Sequence, residues 1–234
     1  MLRELFGEPE RKDRGDLRKA SRAIAAYRSD LEKCIDPLSP HCGRYTRFDV
    51  WARGFLTGLD ELEESAFAAR LCRSSVIHAY EEAMSREESI AYRRHVYFYK
   101  NGIIRVFSLL DKLGYFMNEL FRLQTERMKP RFSYFTVLRQ MGQRKAEPEL
   151  HGALSELKER YQPPLARLRE KRNMEIHLIN VEMLDNLALS DLCRGGRTYI
   201  EDLDANLHDL DQGRDMVCKS LAAVYTYAHE RGKR

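Results

Sequence analysis

The chain has 234 residues, 43% of them hydrophobic and 32% charged, with a formal net charge of only +4. That length can bury a substantial core, and the absence of any uncharged apolar run of about 18 residues argues against a membrane-spanning helix. Five scattered cysteines, an odd number, fit reduced thiols in a cytoplasm better than a disulfide framework, and the small positive charge permits an acidic partner without demanding one.

Residues 1–15 mix both charge signs and lack the apolar centre of a signal peptide, so they read as an N-terminal tail. Asp16 is placed to cap a first helix carrying Leu17, Ala20, Ile24, Tyr27, Leu31 and Cys34. It should stop at Asp36-Pro37, because the residue before proline avoids the helical region. Cys34, His41 and Cys42 fall near this turn, but three candidate ligands are short of the four that structural zinc takes; no metal site is expected. A second helix is predicted over Arg47 to Ala83, with Phe48, Ala52, Phe55, Leu59, Leu62, Ala66, Ala69 and Val76 on one side. Gly54 and Gly58 would admit a neighbouring backbone. Ser85 followed by Glu88 has the spacing of a capping box.

The longest signal runs from Tyr92 to Gln124. Tyr92, Val96, Tyr99, Ile103, Val106, Leu110, Leu113, Met117 and Leu120 alternate spacings of four and three, and Phe107, Gly114 and Phe121 add a second row. So wide an apolar arc must be covered by other helices. Shorter helices are predicted over Tyr134 to Met141 and Glu149 to Tyr161. Pro163-Pro164 then breaks the chain and starts another helix, from about Leu165 to Ile179. Residues 181–199 read as an irregular loop, and a last helix carries Leu203, Leu207, Leu210, Val217, Leu221, Val224 and Ala228. No strand-like alternation and no repeat appears. The expected fold is all-α: one domain over 1–234, an elaborated antiparallel bundle around one long central helix.

The helix after Pro164 carries the candidate chemistry. With Leu165 at 0° and about 100° per residue, Leu168, Ile176 and Ile179 lie within about 60° of it, and Arg172 falls at about 340°, inside the apolar stripe. A charge there needs a carboxylate partner, with Asp111 a candidate, or a cleft that receives an anion. Asn173 and His177 stand one turn apart on one face. An arginine can hold a phosphoryl group through two bonds, and a histidine moves protons near neutral pH. Arg167, Arg169 and Lys171 would make the approach electropositive and serve as substrate-binding residues. Arginine and histidine at this spacing also occur at Arg73 and His78, where Ser74 replaces the amide; that pair carries no function in this reading.

Across Arg172-Asn173-Met174-Glu175-Ile176-His177 the sequence resembles the HEPN superfamily, the higher eukaryotes and prokaryotes nucleotide-binding domains, in an uncharacterised bacterial branch. The resemblance extends to Phe107-Ser108-Leu109-Leu110-Asp111-Lys112-Leu113-Gly114, to Phe132-Ser133-Tyr134-Phe135 and to the last helix. It implies a homodimeric, metal-independent ribonuclease without a cofactor, whose RNA substrate is cut with the help of its own 2′-hydroxyl. By carry-over Arg172 would stabilise the phosphate, His177 would serve as general acid and base, and Asn173 would orient substrate or His177. On an ideal helix Arg172 and His177 diverge by about 140°, which a site composed across a dimer, or a helix ending near His177, would resolve. An antitoxin or a nucleotidyltransferase is the further partner class implied. Some relatives carry a modifiable tyrosine two residues beyond the histidine; here Ile179 stands there, which points away from that subclass. The alternatives are a non-catalytic RNA-binding or protein-docking HEPN module, and a purely structural helical adaptor in which Asp111 pairs with Arg172.

Overall fold

The computed structural model describes residues 2–35, 38–177 and 199–232. Seven α-helices occur among them: α1 (Leu2–Leu5), α2 (Gly15–Cys34), α3 (Cys42–Arg73), α4 (Arg86–Leu120), α5 (Tyr134–Arg144), α6 (Pro148–His177) and α7 (Leu203–Gly232). The fold is all-α. The one extended contact among the described residues is an isolated bridge between Tyr80 and Tyr199. No helix among them is long and apolar enough to cross a membrane.

The chain groups into two compact units. One comprises Met1–Arg11, Glu61–Arg105 and Pro163–Gly213; the other comprises Lys12–Asp60, Val106–Gln162 and Arg214–Arg234. The second unit is organised on aromatic rings. Phe116, fully buried, meets Tyr27, Phe48, Trp51 and Phe55 edge to face at 5.6–6.1 Å and stacks on Tyr225 at 4.9 Å. Such geometries add to the burial of large apolar surface. Tyr134 is buried in the same unit, with its backbone N–H donating to Asp111 Oδ1 at 3.2 Å and its hydroxyl 3.4 Å from Ser220 Oγ. Gly114 makes room for it, since a Cβ there would stand 2.8 Å from Tyr134 Cα.

The first unit buries Tyr92, Val96, Tyr99 and Ile103 of α4 with Leu62, Ala66 and Ala69 of α3, Leu165 and Leu168 of α6, and Leu203, Leu207 and Leu210 of α7. Gly102 does not weaken α4. Its missing side chain admits Leu210, whose Cδ2 would lie 2.9 Å from a Cβ. Residues 2–5 are helical, and Arg3 donates to Glu63 Oε1 at 2.5 Å while lying 3.7 Å above the Phe67 ring.

Four sequence expectations need correction. Asp16 does not cap α2; it sits inside the first turn, paired with Lys19 and Lys219 at 3.1 and 3.4 Å. The second helix stops at Arg73 instead of reaching Ala83, because side chains take over its backbone groups: Arg73 Nη1 donates to Val76 O at 2.6 Å, and the N–H groups of Ile77 and His78 donate to Glu88 Oε1 at 2.6 Å. Neither Gly54 nor Gly58 admits a neighbouring backbone: Gly54 faces open space, and at Gly58 it is a side chain that comes close, Leu109 Cδ2 at 2.6 Å from an added Cβ. Finally, Pro163 and Pro164 lie inside one continuous helix, α6. Each proline removes an N–H from the helical ladder. The carbonyls released belong to Glu159 and Arg160, both exposed, so water can satisfy them.

Ser85 Oγ accepts the Glu88 N–H at 3.1 Å, giving half of the expected capping box. The Glu88 carboxylate turns instead to residues 77 and 78, and its Oε2 lies 2.8 Å from His78 Nδ1. The His78 backbone N–H, then its imidazole and, against burial, the Ile77 N–H pull the Glu88 pKa down to about 2. A folded-state pKa below the unfolded value means that this contribution is fully present above about pH 4.5 and is lost as pH falls through about 2. Glu88→Gln should therefore flatten the acid limb of a stability–pH curve in that window, measured by urea unfolding, and leave the shape of the curve above pH 5 unchanged.

Candidate functional site

The motif residues lie in the C-terminal stretch of α6, within the first unit, where helix rotation is fixed by a row of polar side chains. Arg167, Lys171 and Glu175 recur every fourth residue and so share a face. Arg167 donates through Nε and Nη2 to the two oxygens of Asp209 at 2.7 and 2.6 Å, a two-pronged pair whose carboxylate is only 8% exposed. The Asp209 carboxylate, outweighing partial burial, raises the Arg167 pKa. Lys171 Nζ donates to Glu201 Oε2 at 3.0 Å and to Asn206 Oδ1, and stands 5.7 Å from the Tyr99 ring centroid. Lys100 of α4 reaches Glu175 at 2.9 Å. These contacts hold α6 against both α4 and α7.

This polar row corrects the angular reading. The stripe of Leu165 and Leu168 does not continue to Ile176, which is 54% exposed. Beyond Leu168 the anchored face of α6 is Lys171 and Glu175, so Arg172 is half-buried beside that row and not inside an apolar core. Asn173 is exposed, and its Oδ1 accepts from Arg172 Nε at 3.2 Å and Nη2 at 2.8 Å. His177 is the last described residue of α6. Asn173 thus holds Arg172, a partner that the sequence reading did not assign to it.

Of the other expected residues, Arg169 is exposed and Asp111 belongs to the other unit, where it receives the Tyr134 N–H. Arg167 and Lys171, expected to meet substrate, face carboxylates of their own chain. Ile179 and the loop expected over 181–199 lie outside the described residues, apart from Tyr199. The second arginine–histidine pair is structural: Arg73 grips Asp204 through Nε and Nη2 at 3.1 and 2.8 Å, and His78 meets Glu88. Among the described residues no three His, Cys, Asp or Glu side chains gather to hold a metal ion.

One polar core residue escaped the sequence reading. His95 is completely buried, donates from Nδ1 to Ala69 O at 2.8 Å and stacks on Tyr99 at 6.0 Å. Desolvation outweighs its hydrogen bond and lowers its pKa, so the ring is held neutral. Its signal was the seven-residue row His95, Gly102, Leu109, Phe116, all buried, which flanks the apolar seam of α4.

If the polar row fixes α6, its strongest pair should matter to stability. Arg167→Ala leaves the Asp209 carboxylate buried without its fork; with Arg167 itself 55% exposed, we expect a loss of about 1–2 kcal/mol. Urea unfolding of this variant against the parent checks it, and a change under about 0.3 kcal/mol would remove the pair from the account.

A family model described as Cthe2314-like HEPN matches residues 51–229. No curated protein and no solved structure shows a significant match to the chain. The matched span includes α4, α5, α6 and most of α3 and α7, with the Arg172-to-His177 segment inside it. The chain therefore belongs to the Cthe2314-like HEPN family.

Proposed function

We propose that this HEPN module is a homodimeric ribonuclease that cleaves RNA without a metal ion, through Arg172, Asn173 and His177. The observation that carries the reading is the Asn173–Arg172 bond late in α6: an exposed amide holds one edge of a guanidinium in place, four residues ahead of His177 on the same helix. A guanidinium fixed in this manner is suited to the charge that gathers on a phosphate during transesterification.

In the proposed reaction the substrate's 2′-oxygen attacks the adjacent phosphorus as its proton passes to a base, the bond to the 5′-oxygen breaks, and an acid protonates that oxygen. The products are a 2′,3′-cyclic phosphate and a free 5′-hydroxyl. Imidazole groups near their ordinary pKa can fill both roles around neutral pH. Arg172 and His177 of one helix diverge on ideal geometry, so a second copy of the chain is the natural source of the complementary group.

One observation favours the rival reading, an RNA-binding or docking module that does not hydrolyse. Arg167 and Lys171 face Asp209, Glu201 and Asn206, which leaves the approach to Arg172 less electropositive than the sequence suggested. The two readings separate in one assay. A labelled RNA and a copy with a single 2′-deoxy nucleotide at the cut site are incubated with the protein in excess EDTA, and molar mass is followed by light scattering. The expected outcome is a dimer that cuts only the RNA with an intact 2′-hydroxyl. Activity that vanishes with EDTA or survives the 2′-deoxy substitution overturns the mechanism; RNA bound and uncut, with the assay run across pH 5–9, supports the module without hydrolysis.

A further inference from the structure

A second feature of the first unit lies on the exposed side of α4. Phe6, Ile90, Arg93, Arg94, Tyr97 and Phe98 line an open, mostly apolar groove. Tyr97 is 64% exposed and packs edge-on against Phe98 at 5.2 Å, which in turn meets Phe6 edge-on at 6.3 Å. The inner rings thus brace the outer one. Arg93 and Arg94 are exposed beside it; no carboxylate lines the groove, and neither arginine is held in an ion pair among the described residues. That contrasts with Arg70, Arg73 and Arg167 of the same unit, each of which meets an aspartate.

We propose that this groove binds single-stranded RNA, stacking a base on Tyr97 while Arg93 and Arg94 hold the flanking phosphates. A braced aromatic face with cations on its edge is what an unpaired nucleotide requires, and every base offers a π-face to it. A helical protein partner suits the surface less well. Ile90, Tyr97 and Ile104 recur every seven residues, but a helix–helix seam needs a second apolar residue in each heptad. The intervening positions here are Arg93 or Arg94 and Asn101, whose amide oxygen already accepts from Ser65 and Arg105. The proposal goes beyond the cleavage reading, because such a groove holds RNA whether or not the chain cuts it.

The test uses the full chain and a fluorescent 12-nucleotide RNA of mixed sequence, 2′-O-methylated so that it cannot be cleaved through its 2′-oxygen. Affinity is read by anisotropy for the parent, Tyr97→Ala, Tyr97→Phe, the double variant Arg93→Gln/Arg94→Gln, and His177→Ala. Because Tyr97 and both arginines are exposed, circular dichroism should show all variants folded. Removing the stacking ring should weaken binding at least about fivefold in Tyr97→Ala, with Tyr97→Phe near the parent. The arginine double variant should weaken it similarly and flatten the plot of log affinity against log salt by about 0.7 for each phosphate no longer neutralised. The proposal is overturned if Tyr97→Ala and the double variant bind within twofold of the parent, if the parent binds no RNA, or if Tyr97→Ala lowers the molar mass in solution, which would make the groove an interface between protein copies. Unchanged affinity in Tyr97→Ala together with abolished cleavage of unmodified RNA in His177→Ala would dismiss the groove and leave the proposed function standing.

Discussion

The first unit depends on the pairing of α6 cations with carboxylates that follow residue 200. Arg167 and Lys171 sit one turn apart, and Asn206 and Asp209, which receive them, also sit one turn apart on α7. Two rows of matched periodicity can only meet in one register, so the pairs set both the rotation and the axial position of α6. Burial sharpens the constraint. Asp209 and Glu201 are nearly enclosed, and an unpaired carboxylate in such surroundings costs several kcal/mol. Any slide of α6 would break both pairs together. The position of Arg172 and Asn173 beside the anchored row follows from this register.

The same pairing changes what the charge pattern means. Lys158 to Arg172 is a basic run and Glu201 to Asp215 an acidic one, and the basic run alone reads as an approach for an anionic substrate. In the folded chain the two runs answer each other, at Arg167–Asp209 and Lys171–Glu201, while Arg70 and Arg73 of α3 take Asp211 and Asp204. Arg93 and Arg94 beside Tyr97, by contrast, meet no carboxylate among the described residues. A basic tract in sequence is a substrate surface only after its internal partners have been subtracted.

The helices were legible because apolar period and burial agree: eight of the nine seam residues of α4 are buried, with Leu120 at its end half-buried. The misses share a cause, which is that a distant side chain supplied what the local sequence did not. Ser74 to His78 leaves the helix because Glu88, ten and more residues on, accepts two of its N–H groups. Local rules make the proline pair a break because they count the missing hydrogen bonds, whereas exposure of Glu159 and Arg160 lets water replace them. For the site, Arg172 and Asn173 were legible as a motif. Their mutual bond was not, since adjacent residues on a helix point about 100° apart and only side-chain length closes the gap. Ile176 misled the stripe because the buried face of α6 changes from leucine to a salt-bridged lysine and glutamate within one turn, a substitution that hydrophobic periodicity cannot register.

Cleavage by the proposed route requires His177 to transfer protons in a bound RNA while the structure around it stays intact. The most direct measurement is single-turnover cleavage of one defined RNA by the parent and by His177→Ala, with the affinity of each for the same RNA measured alongside. The account predicts that cleavage falls at least about a hundredfold while affinity changes less than about twofold, as expected when an acid–base group is removed from an otherwise complete site. Cleavage by His177→Ala at the parent's rate, or a loss of affinity that accounts for the whole loss of cleavage, would contradict it.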